Sequence, residues 1–443
     1  MPQVESNDAA RSRPWGRAAA WLIFLGPFFY LSYGGSNWLA SQRDDVGAIV
    51  FDWEVHIPFV AWTIIPYWSI NFFYAASVFV CRTRRELDAH VKRLLTAQVI
   101  AVICFLLFPL RFTFVQPQPD GFSGLLFALL GAFDKPFNQA PSLHVALVVI
   151  LWHLYAHRLR SLAKWLLNLW FLGIAATVLT TYQHHFIDMP TGALLGWFCV
   201  WLWPLAHDSP LASFQRAKDA GRIRLASCYG VAAALLFILA FVIGGAGLWL
   251  IWPAVSLSFV ATFYLWFGPV GFQKGSNGHI GVASRWLLAP YLIAAWLNSR
   301  LWTRGKPVAV EVSDNVWLGR FPSAATWHSH SLRSVVDLSA ELSSKLEQEH
   351  WYAFPSLDLV VVPATTLNDA VESIQQQSPH GRVLVCCALG YSRSAAVVCY
   401  WLLKAGHIQT IDEAVQFLKA IRPEIVLKPE QLIGIETAAR NPA

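Results

Sequence analysis

Eight apolar runs, each long enough or nearly long enough to cross a bilayer as a helix, lie between residues 18 and 270. A spanning helix needs about 20 such residues. In hydrocarbon the backbone must pair with itself, so these runs can only be helices. They cover 18–38, 59–80, 94–110, 142–157, 165–182, 189–206, 226–246 and 250–270. Composition agrees: charged residues are 14% and AVILMFWYC residues 56%, against the ~25% charged of a soluble domain. This excludes a disordered chain and a soluble nucleic-acid binder. The first apolar run lacks a small-residue cleavage site and reads as a span rather than a signal peptide. Residues 306–443 are different, with 11 Lys+Arg against 14 Asp+Glu, while residues 1–305 carry 22 against 13. The seven cysteines (81, 104, 199, 228, 386, 387, 399) have neither disulfide-framework nor zinc spacing.

The positive charge falls on alternate connections. The N-terminus and the stretches 82–93, 158–164 and 207–225 hold fifteen Lys+Arg; the other connections hold three, Arg43, Arg111 and Lys135. The positive-inside rule therefore places the N-terminus and the basic loops in the cytoplasm. Loops 39–58, 111–141 and 183–188 then face outward. Trp286–Leu297 is apolar but short, contains Pro290, and reads as an interfacial or re-entrant helix, with a ninth span as the alternative.

Polar clusters gather on the outward loops. Arg111 follows the third run, the stretch Asp134–His144 precedes the fourth, and Tyr182–Asp188 precedes the sixth. His184 and Asp188 are spaced i, i+4, which on a helix lets the carboxylate hold one imidazole nitrogen. Such a His is a good nucleophile or base. His144 is a second imidazole, suited to protonating a leaving oxygen. Arg111 and Lys135 are candidates to hold an anion. Singly, each of these signals is weak; together, on one face, they point to a site.

In these motifs, residues 58–206 resemble the type 2 phosphatidic acid phosphatase (PAP2) superfamily. Pro141-Ser142-Leu143-His144 stands for its second motif, and His184 with Asp188 for its third. The resemblance implies that His184 forms a phosphohistidine, that Asp188 orients it and that His144 is the general acid. It implies that Ser142 and Arg111 hold phosphate oxygens. The family's Lys-x6-Arg-Pro motif is absent, and Thr177-Val178 replaces its Ser-Arg. Leu143 and the His-His-Phe-Ile-Asp run are closer to the inositol phosphorylceramide and sphingomyelin synthase branch, which transfers headgroups. Hydrolysis and transfer both stay open.

Residues 306–443 read as an α/β domain. Val308–Leu318, Leu332–Leu338, Leu357–Val362 and Val383–Val385 have strand length and pattern, while Leu367–Gln376 and Ala395–Leu403 read as helices. Between the last strand and the last helix lies Cys386-Cys387-Ala388-Leu389-Gly390-Tyr391-Ser392-Arg393-Ser394. A strand, a Gly-containing loop and a helix start converge backbone N–H groups into an anion cradle. A Cys at the start of such a cradle is a nucleophile, and an Arg at its end takes two phosphate oxygens.

Cys387-x5-Arg393-Ser394 resembles the protein tyrosine phosphatases, and the short domain resembles their dual-specificity class. Val316-Trp317-Leu318-Gly319, Val335–Leu338 and Ile421-Arg422-Pro423 support the match. The resemblance implies that Cys387 attacks phosphorus, that Arg393 binds phosphate with the loop Ala388, Leu389, Gly390, Tyr391 and Ser392, and that Ser394 assists the thiolate. Asp358 is the candidate general acid and Asp369 the runner-up. Cys386 stands where the family has His, which leaves a vicinal redox partner for Cys387 open.

The expected organisation is an N-terminal segment with the first span (1–57), a PAP2-like helix bundle (58–206), further spans and a linker (207–305), and a dual-specificity-type α/β domain (306–443). Together these resemble bacterial inner-membrane fusions of the two domain types, with the His site facing the periplasm and the Cys domain cytoplasmic. The implied function is a bifunctional phosphatase without metal or cofactor. Its partners are the bilayer, a lipid phosphate and a possible phosphoprotein. The alternatives are a headgroup transferase with an attached Cys domain, and a scaffold or transporter with degenerate sites.

Overall fold

Apolar runs bounded by capping residues and glycines become helices throughout residues 13–302 of this computed structural model, which describes residues 13–313, 315–344 and 350–440. Arg11, one of the basic N-terminal residues, lies outside the described residues. The chain forms two units, Met1–Ala206 and His207–Ala443.

The first unit holds α1 (Trp15–Ser41), α2 (Ile64–Val80), α3 (Arg84–Leu107), α4 (Gly121–Gly131), α5 (Leu143–Ala156), α6 (Ser161–Thr180) and α7 (Asp188–Leu202). Thr83 caps α3 by accepting the Glu86 N–H, and Ser142 caps α5 by accepting the Val145 N–H. Helices α5 and α7 pack closely because Gly192 and Gly196 lie between them. A Cβ on Gly192 would sit 2.4 Å from the Ser142 carbonyl oxygen, and one on Gly196 2.7 Å from that of Ala146. Two small residues four apart permit such an approach. It sets the start of α7, with Asp188, beside the start of α5, with His144.

Two expectations change here. Helices α5 and α7 have 14 and 15 residues, shorter than the spans read at 142–157 and 189–206. The stretch 111–141, read as a loop, contains the apolar helix α4, which at 11 residues was too short to register as a span. Among the described residues, six helical segments are long and apolar enough to cross a membrane by length and composition.

The second unit starts with α8 (Ala220–Ile243) and α9 (Ile251–Thr262), joined through Gly244 and Gly245, both at positive φ. After Thr262 the helix loosens into a π turn, Phe263–Phe267, and a 3-10 turn, Gly268–Phe272. Then come α10 (Val282–Leu287) and α11 (Ala289–Trp302). The apolar stretch 286–297 is thus two helices broken at Leu288, with Pro290 in the first turn of α11, where its missing N–H costs nothing.

The α/β domain has five strands: β1 (Ala309–Ser313), β2 (Val316–Arg320), β3 (Ser334–Ser339), β4 (Trp351–Ser356) and β5 (Val383–Cys387). Their order is β1-β2-β5-β3-β4, parallel except for β1. Helices α12 (Ala324–Ser329), α13 (Ala364–Gln377), α14 (Arg393–Lys404), α15 (Ile411–Ile421) and α16 (Pro429–Arg440) complete it. The run Val308–Leu318 is a two-strand hairpin rather than one strand. Leu357–Val362 is a loop, and its neighbouring strand lies earlier, at β4. There Leu357 and Val362 plug the core while Leu359 points out. Scattered core contacts, not strand pairing, made that run apolar.

Residues 274–280 cover the free edge of β4. The Ala353 N–H donates to the Ser276 carbonyl, and the Ser344 N–H to that of Gly278, both at 2.9 Å. Gly278 has φ +77°, and a Cβ there would meet the Trp351 indole nitrogen at 2.1 Å. An exposed sheet edge is otherwise open to unwanted pairing. The stretch read as further spans and linker is therefore packed into the same unit as the α/β domain.

Candidate active sites

Parallel strands β5 and β3 end at the same edge of the sheet, where open α/β sheets bind ligands. Cys387 is the last residue of β5, and Arg393 opens α14 six residues later. The Gly390 N–H and the Ser394 hydroxyl both point at the Cys387 sulfur, each at 3.3 Å. Both donors, with the N-terminal end of α14, converge on that sulfur. Gly390 has φ +77°, and a Cβ there would lie 2.4 Å from the Gly319 backbone, so the loop must turn with glycine. Elsewhere in the loop, the Ala388 carbonyl accepts from Ser299, that of Leu389 from Arg422 and that of Tyr391 from the Val426 N–H. Ser392 bonds Gln431. These bonds hold the loop carbonyls away from the Cys387 sulfur, at which the Gly390 N–H points.

Arg393 is buried, and Glu341 grips it with both oxygens, at 2.9 and 2.5 Å. A third bond runs to the Ser356 carbonyl at 2.7 Å. Its Nε is buried without a partner among the described residues, as suits a donor for a phosphate oxygen. Asp358 lies 3.0 Å from the same guanidinium. Burial pushes the Asp358 carboxyl up, Arg393 pulls it down and Glu341 pushes it up again, for a net rise. Burial also pushes Glu341 up, but the charge and hydrogen bonds of Arg393 outweigh it and hold Glu341 below the usual range. One carboxyl is thus a fixed anion that orients the guanidinium, and the other is readier to carry a proton.

Cys386 and Cys387 face opposite sides of the sheet, as strand alternation requires. Burial, then the Asp337 charge, pushes the Cys386 thiol well up. It is a core thiol, which corrects the idea of a vicinal redox partner. Asp369, the alternative acid, is exposed on α13.

Residues 316–437 match the family described as "Dual specificity phosphatase, catalytic domain". This part of the chain is a dual-specificity phosphatase domain. Dual specificity protein phosphatase 14 of Mus musculus is 29% identical over 175 residues, 37% of this chain and 81% of the relative. Dual specificity protein phosphatase 18 of Mus musculus is 30% identical over 118 residues, 24% of this chain and 60% of the relative. A crystal structure of PTPMT1 in complex with PI(5)P aligns at 18% identity and TM-score 0.28, over 30% of this chain and 96% of that one. The chain is accordingly a phosphoric monoester hydrolase.

The first unit contains a separate cavity of about 280 Å³, lined by His144, His184, Asp134, Tyr33 and Tyr67 among others. His184 Nδ1 lies 3.1 Å from an Asp188 oxygen, which also accepts the His185 N–H at 3.0 Å. His144 stacks on Tyr67 with ring centres 4.1 Å apart, and its Nε2 is buried without a partner among the described residues. The residues expected to bind phosphate lie elsewhere. Arg111 is exposed, and its N–H pairs with the Gly47 carbonyl. Lys135 reaches Ser41 at 3.1 Å. The Ser142 hydroxyl is committed to capping α5. None of the three lines the cavity.

What does line it is a carboxyl. Asp134 accepts from Asn37 at 2.9 Å and from Tyr33 at 3.4 Å. Burial pushes it up to about 6, against the pull of His184. The neighbouring His185 belongs to another contact. Its Nδ1 lies 2.9 Å from Glu54, which also accepts the Phe51 and Phe186 N–H groups. That cluster ties the loop around 51–56 to the start of α7.

Sequence reading missed Glu341, Gln431, Asp134 and Glu54 as site-building residues. Glu341 left one usable trace, a carboxylate just beyond the C-terminal end of a buried strand, β3. Asp134 was visible in a polar cluster without a role. Gln431 and Glu54 left none.

Proposed function

We propose that this chain is a multi-pass membrane enzyme with two phosphoryl-handling centres. At the first, Cys387 attacks the phosphorus of a phosphomonoester while Asp358 protonates the leaving oxygen. Water then releases phosphate from the cysteine. Arg393 and the loop N–H groups neutralise the equatorial oxygens. The observation that carries this reading is the Cys387 sulfur, bonded by Gly390 and Ser394, beside an Arg held by Glu341. The attached apolar helices favour a lipid phosphate as substrate, with a phosphoprotein as the other phosphomonoester class. The charge asymmetry of the connections supports a cytoplasmic side for this domain.

At the second centre, His184 is the nucleophile, Asp188 orients it and His144 serves the leaving oxygen, on the outward side of the membrane. The reading is lipid phosphate hydrolysis of the PAP2 kind. One observation favours headgroup transfer instead: among the described residues the cavity is lined by the Asp134 carboxyl and by no Lys or Arg. A dianionic monoester is poorly matched to that lining, whereas a singly charged phosphodiester is tolerated better.

The test is phosphate release and headgroup exchange by the full chain in lipid nanodiscs, comparing wild type with Cys387→Ser and His184→Ala. Loss of monoester hydrolysis only in Cys387→Ser, and of exchange only in His184→Ala, supports two centres with transfer at the second. Loss of separate monoester activities supports two phosphatases. If His184→Ala changes nothing on a broad lipid panel, the second centre is refuted.

A further inference from the structure

The general-acid loop is held from outside the α/β phosphatase domain. Tyr264 lies in the π turn that follows α9 and is 1% exposed. Its hydroxyl donates to the Asp358 carbonyl oxygen at 3.0 Å. Tyr229 of α8 packs on it with ring centres 5.4 Å apart, and Tyr291 of α11 packs on Tyr229 at 5.9 Å. Irregular π turns inside helices often mark functional positions. Here the turn aims one hydroxyl out of the helical hairpin into the catalytic loop.

The loop needs such a hold. Leu359, next to Asp358, has φ +58°. That left-handed conformation is strained for any residue with a Cβ. Leu359 is also exposed, so packing of its own side chain does not fix it. The Asp358 carboxyl is 3.0 Å from Arg393, the phosphate-binding guanidinium. The contact to Tyr264 is made through the Asp358 backbone and so does not depend on where its carboxyl points.

Two neighbouring loops are held by the same part of the chain. Lys274 binds Asp337 at 2.5 Å and the Ser339 carbonyl at 2.6 Å, just before Glu341. Ser299 of α11 donates to the Ala388 carbonyl of the phosphate loop at 2.5 Å. All three catalytic loops therefore have an anchor within residues 264–299.

We propose that Tyr264 is a positioning residue for the general acid, holding Asp358 within reach of the leaving oxygen through its carbonyl. The proposal rests on Asp358 being that acid. The groups facing Asp358 are Arg393 and Glu341 from the phosphatase domain and Tyr264, Tyr229 and Tyr291 from the helices.

The test uses the full chain in detergent with two substrates. One is 4-nitrophenyl phosphate, whose leaving group departs without a proton; the other is an alkyl phosphate, whose leaving group requires one. Tyr264→Phe should lower kcat on the alkyl phosphate about tenfold with KM unchanged. It should leave 4-nitrophenyl phosphate within about twofold, and move the basic limb of the alkyl-phosphate pH profile. Alkylation of Cys387 by iodoacetate should keep its wild-type rate, which shows that the cradle is intact. Equal losses on both substrates, or no loss on either, overturn the proposal. Should Tyr264→Phe fail to fold, a fluorotyrosine at position 264, which alters donor strength but not shape, must reproduce the leaving-group split or the proposal falls. Asp358→Asn separates the two claims. If it shows no leaving-group split, the acid assignment itself is wrong; if it shows one and Tyr264→Phe does not, only the positioning role fails.

Discussion

The Cys-centred and His-centred sites handle negative charge in opposite ways. At Cys387 a buried guanidinium is clamped by Glu341, and the Gly390 N–H points at the sulfur. At His184 two imidazoles face a cavity that is also lined by a carboxyl, Asp134. The first site is preorganised for a dianion. The second suits a substrate of lower charge, or one that arrives when Asp134 is protonated. The Cys-x5-Arg motif was the more specific of the two resemblances, and it is also the site whose surrounding shell is complete.

The largest expected effect sharpens the contrast on the Cys side. Glu341→Gln removes the charge that orients Arg393 and leaves the guanidinium buried beside Asp358 alone. Hydrolysis of phosphomonoesters at this site should fall about 100-fold, and stability by about 3 kcal/mol, as read by steady-state kinetics and thermal melting. Because Glu341 is held below its usual 4.5 in the folded chain, its contribution is present above that pH and is lost as pH falls through the lower folded value. Glu341→Gln should flatten that acid limb of the stability curve. An unchanged kcat would break the claim that this carboxylate sets the Arg393 geometry.

Next in size, Gly192→Ala tests whether close helix approach builds the His site. The new methyl meets the Ser142 carbonyl, which is backbone and cannot swing away. Separation of α5 from α7 should cost about 2 kcal/mol and abolish the His184-dependent activity, while the Cys387-dependent activity persists. Parallel loss of both activities would count against independent sites.

The smallest effect concerns Asp134. Its carboxyl, pushed up to about 6 by burial, is neutral below that pH and anionic above it. Any His184-dependent reaction of an anionic lipid should therefore rise as pH falls through about 6. Asp134→Asn should remove that dependence and raise activity at pH 8 about threefold. A pH profile unmoved by the substitution would show that Asp134 does not face the substrate.

The legible parts of the molecule were those written in short stretches of chain. Cys387-x5-Arg393 forms one loop, and its strand and helix, β5 and α14, lie where the pattern puts them. His184 and Asp188 meet because they are four residues apart at a helix start. The less legible parts depended on distance along the chain. Arg111, Lys135 and Ser142 have suitable chemistry, yet none of them lines the cavity. Leu357–Val362 has the composition of a strand, but its apolar residues serve the core from a loop.

The sequence by itself determined a set of long apolar helices, an α/β domain with a Cys-nucleophile loop, and a His–Asp pair. These are consequences of local periodicity and of motifs shorter than ten residues. Only the tertiary structure decided what surrounds them. Glu341 reaches Arg393 across 52 positions, and Tyr264 reaches Asp358 across 94. Asp134 enters the His cavity from a loop 50 residues before His184. Such pairings are set by packing of whole elements, through helix approach at Gly192 and strand order in the sheet. No local pattern carries them, because a carboxylate or a hydroxyl gains its role only from the group that the fold brings within 3 Å of it.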